Sequence, residues 1–371
     1  MKFKGLILRK NILLYNVTTA IKIGGIEIFF HHIAKEISKN NKATICCANG
    51  NGLPEFLLSN EDIDIVMFKN IKREKIINLG KRFQKFIERV LFFYKARNFL
   101  KKNKFDVVVI HKPFDFFVCA YLKKINKNIK TVFVSGGEDF YFFDKYFIKY
   151  IDKVISVSKE NAKILASRYK NIKISICYNG VDKDKFYPDI QKRNFIRDKF
   201  HIKNNEILLG SVGRVVGLKG FELPIKALLK IDNNSKFLLI GDGEELENLK
   251  KMANELNLKD RVIFAGLIPN EELCSYYNAM DIYLQPSIGN EAFGITVIEA
   301  LSSDKIAIVS DNGGMKEIIK DGVNGYKFKI NDLDDLANKI NLVLKNKEKL
   351  NPRKSIEGKY EWKNFAAEIL N

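Results

Sequence analysis

Little in this sequence supports disulfide or zinc chemistry. Its five cysteines are odd in number, two of them adjacent at Cys46 and Cys47, and no C-x-x-C spacing occurs, so all five read as reduced core residues. No run of eighteen uncharged apolar residues is present, which excludes a membrane-spanning helix. At the start, MKFKGLILRKNILLYN has basic residues on both sides of a short apolar block, too short for a signal segment, so the expected location is cytoplasmic. Internal repeats and low-complexity tracts are also missing, apart from local enrichment in Lys and Asn.

What is present is size and charge. The 371 residues, 46% of them apolar, exceed what one hydrophobic core usually supports, so two domains are expected. The formal charge of +19 is unevenly spread: residues 1–190 hold 36 Lys and Arg against 18 Asp and Glu, whereas residues 191–371 hold 27 against 26. A genome-wide compositional bias would load both halves alike. The asymmetry predicts a basic surface in the first half for a polyanionic partner, either anionic lipid or nucleic acid.

Short apolar runs alternate with helical segments: residues 11–15, 43–47, 106–110, 131–134, 154–157 and 172–176, then 207–212, 237–240, 262–265, 282–284 and 306–309. This pattern predicts α/β architecture twice over, with parallel strands and ligands at their carboxyl ends. The charged stretch 183–205, with Pro188 inside it, reads as a linker. Expected boundaries are therefore residues 1–185 for a first domain and 186–350 for a second, followed by a helical segment at 351–371. Residues 75–104 mix Phe, Ile and Leu with many Lys and Arg and one Glu. Such a helical segment suits an anionic bilayer surface, or else packs its apolar side on the sheet.

Several stretches have the residue types a ligand site needs. In GNEAFGITVIEAL, residues 289–301, Gly294 suggests that Glu291 lies in a loop, that a helix opens near Ile295 and that Glu299 falls in its second turn. Free backbone N–H groups then lie between two carboxylates, an arrangement for a hydroxylated anion. Gly24 and Gly25 precede an amphipathic helix, where glycines let backbone approach a phosphate or sugar. His111 ends a strand. In GSVGRVVGLKGF, the turn after Gly213 carries Arg214 and Lys219, two cations able to neutralise a diphosphate. LLIGDGEELENL leaves the next strand through a tight glycine turn.

In order and separation these stretches, with HKP after a strand, ISVSKENAKIL, YNGVDKDKF and E-A-F-G-I-T-V-I-E-A, resemble the retaining family-four glycosyltransferases, also called group 1. The resemblance implies a GT-B fold of two Rossmann-like domains facing across a cleft, with residues 1–185 as the acceptor-binding domain, 186–350 as the nucleotide-sugar-binding domain and the helix in 351–371 packing back on the first. It implies that Arg214 and Lys219 hold the diphosphate of a nucleotide-sugar donor, that Glu299 takes the ribose hydroxyls and Glu291 a sugar hydroxyl, and that the backbone of Phe293, Gly294, Ile295 and Thr296 lines phosphates and sugar. Gly24 and Gly25 would close over the phosphates, and His111 would contact the sugar near the reacting carbon. No cofactor and no metal is implied, since the cations would take that part and no D-x-D leaves a strand end.

The chain departs from that pattern at two places. Asp304 and Ile306 stand where relatives have Gly and Pro, which puts the turn after the second glutamate in question, and VSGGEDF replaces a strand-end histidine, so Glu138 or Asp139 is expected to contact the acceptor. The expected activity is transfer of a hexose or N-acetylhexosamine, from a uridine more than a guanosine diphosphate, to a lipid-linked or lipopolysaccharide glycan at the inner face of a bacterial cytoplasmic membrane. Alternatives are a nucleotide-sugar epimerase of the same fold and, less favoured, a basic nucleic-acid-binding protein; no nucleic acid partner is expected.

Overall fold

Among the described residues, the apolar runs form thirteen strands, and every pairing is parallel. The computed structural model describes residues 9–21, 24–71, 73–170, 172–232, 234–346 and 349–371. The reading of the first eight residues lies outside that set. Contacts divide the chain into two units, one running to Asn179 and taking in Trp362–Asn371, the other Gly180–Glu361. These borders stand at 179 and 361, where the sequence suggested 185 and 350.

The first unit holds β1 (Asn11–Tyr15), β2 (Lys42–Ala48), β3 (Ile63–Phe68), β4 (Val107–Ile110), β5 (Lys130–Ser135), β6 (Lys153–Ser156) and β7 (Ile174–Ile176), in the order β3-β2-β1-β4-β5-β6-β7. The second holds β8 (Ile207–Val212), β9 (Ser235–Ile240), β10 (Val262–Gly266), β11 (Ile282–Gln285), β12 (Ile306–Ser310) and β13 (Gly325–Phe328), in the order β10-β9-β8-β11-β12-β13. Central strands such as β4 and β12 are buried throughout, because helices cover both faces of a parallel sheet and leave no room for polar alternation. β3 and β13 were not foreseen. Both are edge strands with half-exposed residues; β13 has no continuous apolar run, while β3 carries one at Ile65–Phe68.

Two further expectations are corrected. Residues 183–205 are not a linker: helix Ile190–Lys199 lies within them, capped by Asp189, whose carboxylate accepts from the amides of Gln191 and Lys192. Its anchor is a charged side chain. Arg197 is 1% exposed and donates to the carbonyls of Lys203, Glu206 and Ala279 and to Asp281, so hydropathy gave no sign of burial. Nor is 75–104 one helix. The helix is Lys81–Lys102, preceded by Gly80 at φ 99°, and its apolar side is spent on the sheet, with Phe92 buried against Tyr15 and Phe68. Phe92, Ala96 and Leu100 are buried, while Phe83, Phe86, Ile87, Val90 and Leu91 are half-buried and Tyr94 is exposed.

The last helix, Trp362–Leu370, belongs to the first unit. It covers helix Gly25–Ser38: Trp362 stacks on His32 at 5.0 Å, Phe365 meets Phe29 edge-on at 5.0 Å, and Glu368 pairs with Lys153 at 2.6 Å. Four of the five cysteines are buried and all are free, with burial pushing Cys47 up to about 12.

Candidate active site

In both sheets the strand order reverses once, between β1 and β4 and between β8 and β11. Loops leaving adjacent strands in opposite directions open a crevice at such a switch point, at the carboxyl ends of the strands. The singled-out residues collect there. Arg214 and Lys219 follow β8, while Glu291 through Glu299 follow β11; Gly24 and Gly25 follow β1, and His111 follows β4.

In the second unit the two loops are stitched together by backbone. The amides of Ile288 and Gly289 both donate to the carbonyl of Leu218 at 3.0 Å. A Cβ at Gly220, which sits at φ 65°, would come within 2.4 Å of the Pro286 carbonyl, so only glycine allows this approach. Asn312 donates to the carbonyl of Gly289 at 2.7 Å, and the Gly314 amide donates to that of Glu291 at 2.7 Å. Lys219 Nζ is consequently held 2.5 Å from Glu291 Oε2. Arg214 is exposed and, among the described residues, has no ion-pair partner.

Gly294 takes the left-handed region, φ 108° and ψ 62°, and caps helix Ile295–Ser302, which places Glu299 in the second turn. Glu299 is 3% exposed and accepts from Tyr277 Oη at 2.8 Å. Burial pushes its carboxyl up to about 7, against the pull of Tyr277 and Lys185. Thr296 donates to Gln285 Oε1 at 3.1 Å, Gln285 donates to Ser287 at 2.9 Å, and Ser287 lies 3.4 Å from Glu291 Oε2. Phe293 is buried.

In the first unit, Gly25 opens helix Gly25–Ser38 and Gly24 is extended. Glu27, in the first turn and 3% exposed, is paired with Thr18. His111 is 5% exposed and walled by Phe29 at 5.4 Å and Phe30 at 6.2 Å. Burial first, then Lys112, holds its imidazole down to about 3, which keeps it neutral at physiological pH. A Cβ at Gly136 would meet the His111 ring at 2.5 Å. The glycine of VSGGEDF therefore makes room for the histidine of the neighbouring strand. Asp139 pairs with both Lys85 and Lys112, and Glu138 is exposed beside it.

Residues 23–185 match the family described as Glycosyltransferase Family 4, and residues 192–359 match Glycosyl transferases group 1. The chain belongs to this glycosyltransferase family. Curated relatives match along most of their length: MJ1607 of Methanocaldococcus jannaschii, an uncharacterized glycosyltransferase, is 26% identical over 94% of each chain. The lipopolysaccharide 1,2-N-acetylglucosaminetransferase of Salmonella typhimurium is 26% identical, covering 92% of this chain and 91% of its own. Among solved structures, Anabaena HepE in complex with UDP and glucose superposes with a TM-score of 0.81 at 20% identity over 98% of both chains, which shows the shared GT-B fold.

Within the glycosyltransferase, sequence reasoning missed the residues that hold the named ones in place. Tyr277, Gln285 and Ser287 are ordinary strand and helix residues in sequence, and only their contacts mark them. Lys185, in the YNGVDKDKF stretch, was read as part of a boundary; it bonds Asn270 in the loop after β10 and acts electrostatically on Glu299. The turn after Glu299 keeps its geometry without glycine, because Asp304 itself sits at φ 59° and the Lys305 amide still reaches the Ala300 carbonyl at 2.9 Å. Among the described residues, no helix is long and apolar enough to cross a membrane.

Proposed function

We propose that this glycosyltransferase moves a hexose or N-acetylhexosamine from a nucleoside-diphosphate sugar, uridine more than guanosine, to a membrane-associated glycan acceptor, with retention of anomeric configuration. The observation that carries the reading is the second unit's switch point, where a cation, a loop carboxylate and a buried helix carboxylate are fixed around one crevice. Glu299 accepts from the ribose hydroxyls, its other oxygen already held by Tyr277. Glu291 uses Oε2 for Lys219, which leaves Oε1 for a sugar hydroxyl. Arg214 and Lys219 hold the diphosphate and stabilise the charge that grows on it as the glycosidic bond breaks, an effect fully expressed only in the transition state.

No protein nucleophile enters the proposed step. The acceptor hydroxyl attacks the face from which the nucleoside diphosphate departs, and the leaving phosphate takes its proton. The two cations supply the charge stabilisation that a divalent ion supplies elsewhere, so metal-independence belongs to the proposal. Gly24 and Gly25 follow β1 and His111 follows β4, at the first unit's own switch point. A neutral His111 suits hydrogen bonding to a hydroxyl, and supports transfer over epimerisation, which needs proton-exchanging groups. The membrane-facing acceptor, in surface polysaccharide, lipopolysaccharide or lipid-linked oligosaccharide synthesis at the inner face of a bacterial cytoplasmic membrane, accords with the Salmonella relative and with the basic first half.

The test is incubation with a panel of uridine- and guanosine-diphosphate sugars, reading donor hydrolysis and thermal stabilisation. A cognate donor at a hundred times its Kd should stabilise the fold by about 2.7 kcal/mol. Arg214→Ala and Glu299→Ala should each remove most of that gain, and undiminished donor binding by both variants would sink the assignment.

A further inference from the structure

The first unit holds a second charged constellation, which the donor reading does not use. Lys112 stands two residues past the end of β4, Asp139 follows β5 through the Gly136-Gly137 turn, and Lys85 comes from helix Lys81–Lys102. Both ammonium groups converge on Asp139 Oδ2, Lys112 at 2.8 Å and Lys85 in direct contact. The side chains are 18% exposed for each lysine and 31% for the aspartate, so the cluster is half-sheltered yet reachable. Beneath it Arg89 and Asp115 form a sealed ion pair, both no more than 3% exposed. Above it, Asp139 contacts both ammonium groups directly, while Asp115 acts on both at longer range and Glu27 acts on Lys112.

Among the described ion pairs, Asp139 is the one carboxylate that directly bridges both lysines, and a phosphoryl dianion in its place would meet the same two ammonium groups with twice the charge. Lysine is a point-charge binder suited to phosphate oxygens. Crowding at the pair is already visible, because burial first and Lys112 second hold Lys85 down to about 8.

The same cluster opens onto an aromatic strip. Lys85 Nζ lies 4.8 Å over the Phe114 ring; Tyr141 is 4.9 Å from Phe114 and stacks at 4.9 Å on Phe86. Beyond Tyr141 come Phe142 and Phe143, rings 3.8 Å apart, and then Tyr146, and these three are 62%, 38% and 70% exposed. Exposed large aromatics adjoining one another mark an interaction surface. Lys145 and Lys149 are exposed among them.

We propose that Lys85 and Lys112 receive a phosphoryl group on the lipid anchor of the acceptor, with Asp139 as resident counter-ion and the aromatics of 141–146 as the track for the adjoining apolar chain. The proposal rests on the transferase reading for the word acceptor, and it narrows the acceptor class to lipid phosphates or diphosphates. It also changes the part given to Asp139. This carboxylate keeps two cations poised and gives way to the incoming anion; it does not clamp a sugar hydroxyl.

The experiment is calorimetric titration of the full chain with geranyl diphosphate and, separately, with inorganic diphosphate, both in excess UDP so that the second unit is filled. Geranyl diphosphate should bind about tenfold more tightly than the inorganic ion, as burial of a few CH₂ groups allows. Lys85→Gln combined with Lys112→Gln should weaken both probes by about tenfold or more. Phe142→Ser with Tyr146→Ser, on exposed positions, should abolish only the geranyl advantage. Asp139→Asn should tighten both probes by about threefold, since it removes the competing charge while keeping a hydrogen-bond acceptor. A merely structural Asp139 would give the opposite sign. Unchanged affinity in the lysine variant, or weakening in Asp139→Asn, overturns the anion site; equal affinity for the two probes in the parent overturns the lipid assignment. UDP binding in the same samples reports separately on the donor reading.

Discussion

The two switch points are built on the same sheet geometry with different materials. In the second unit the crevice is fixed by backbone: Leu218 accepts from two amides of the facing loop, and Gly220, Gly313 and Gly314 stand where a Cβ would strike a carbonyl oxygen. In the first it is fixed by side chains, with His111 held between Phe29, Phe30 and the space left at Gly136, and with Lys85, Lys112 and Asp139 sharing one ion cluster. Backbone walls hold one geometry across many sequences, whereas side-chain walls can be exchanged residue by residue.

Buried arginines offer the sharpest way to break that comparison. Arg89 depends on the carboxylate of Asp115, while Arg197 is shared among three carbonyls and Asp281. Asp115→Ala should therefore cost about 3–5 kcal/mol by stranding a buried charge. Asp281→Ala should cost about 1–3 kcal/mol, the range for leaving polar groups unsatisfied. Urea unfolding measures both, and equal losses would erase the distinction.

Next in size is a pH effect confined to the second unit. The folded Glu299 carboxyl, at about 7, lies above its unfolded value, so this residue favours folding in acid and the advantage is lost as pH rises from about 4.3 through 7. On the proposed donor site, nucleotide binding has the opposite slope, because ribose hydroxyls would donate to the ionised form. Affinity for the nucleoside diphosphate should rise about tenfold from pH 6 to pH 8, following the ionised fraction. Titration calorimetry with Glu299→Gln should show that slope gone. The smallest expected change is at Asp304, whose left-handed backbone favours glycine. Asp304→Gly should stabilise the chain by no more than about 1 kcal/mol, offset by the lost contact to the Arg353 amide, and thermal unfolding would detect it.

The doubly repeated β/α pattern was legible because buried parallel strands must be apolar on both faces. β13 was hidden because an edge strand need not be, whereas β3 carries an apolar run, Ile65–Phe68, that was passed over. Helix Ile190–Lys199 was misread as linker for a related reason: its firmest anchor, Arg197, is buried by hydrogen bonding, which an apolar pattern cannot register. At the site, the positions of Gly294 and Glu299 followed from local rules about glycine and helix starts. Tyr277, Gln285 and Lys185 come from three separate stretches of chain, and only the fold brings them into one network. Asp139 was named with Glu138 as an acceptor contact, and its lysine partners were not foreseen, since one of them sits on a helix more than fifty residues earlier.

The return of Trp362–Leu370 to the first unit has a consequence for biosynthesis. During translation the helix Gly25–Ser38 emerges early, yet the ring of Trp362 that stacks on His32 and the ring of Phe365 that meets Phe29 are made only after the whole of the second unit. Domains that finish as they leave the ribosome usually do so in chain order. Here the first to appear is the last to close, and the nascent protein carries an uncapped apolar helix for most of its synthesis.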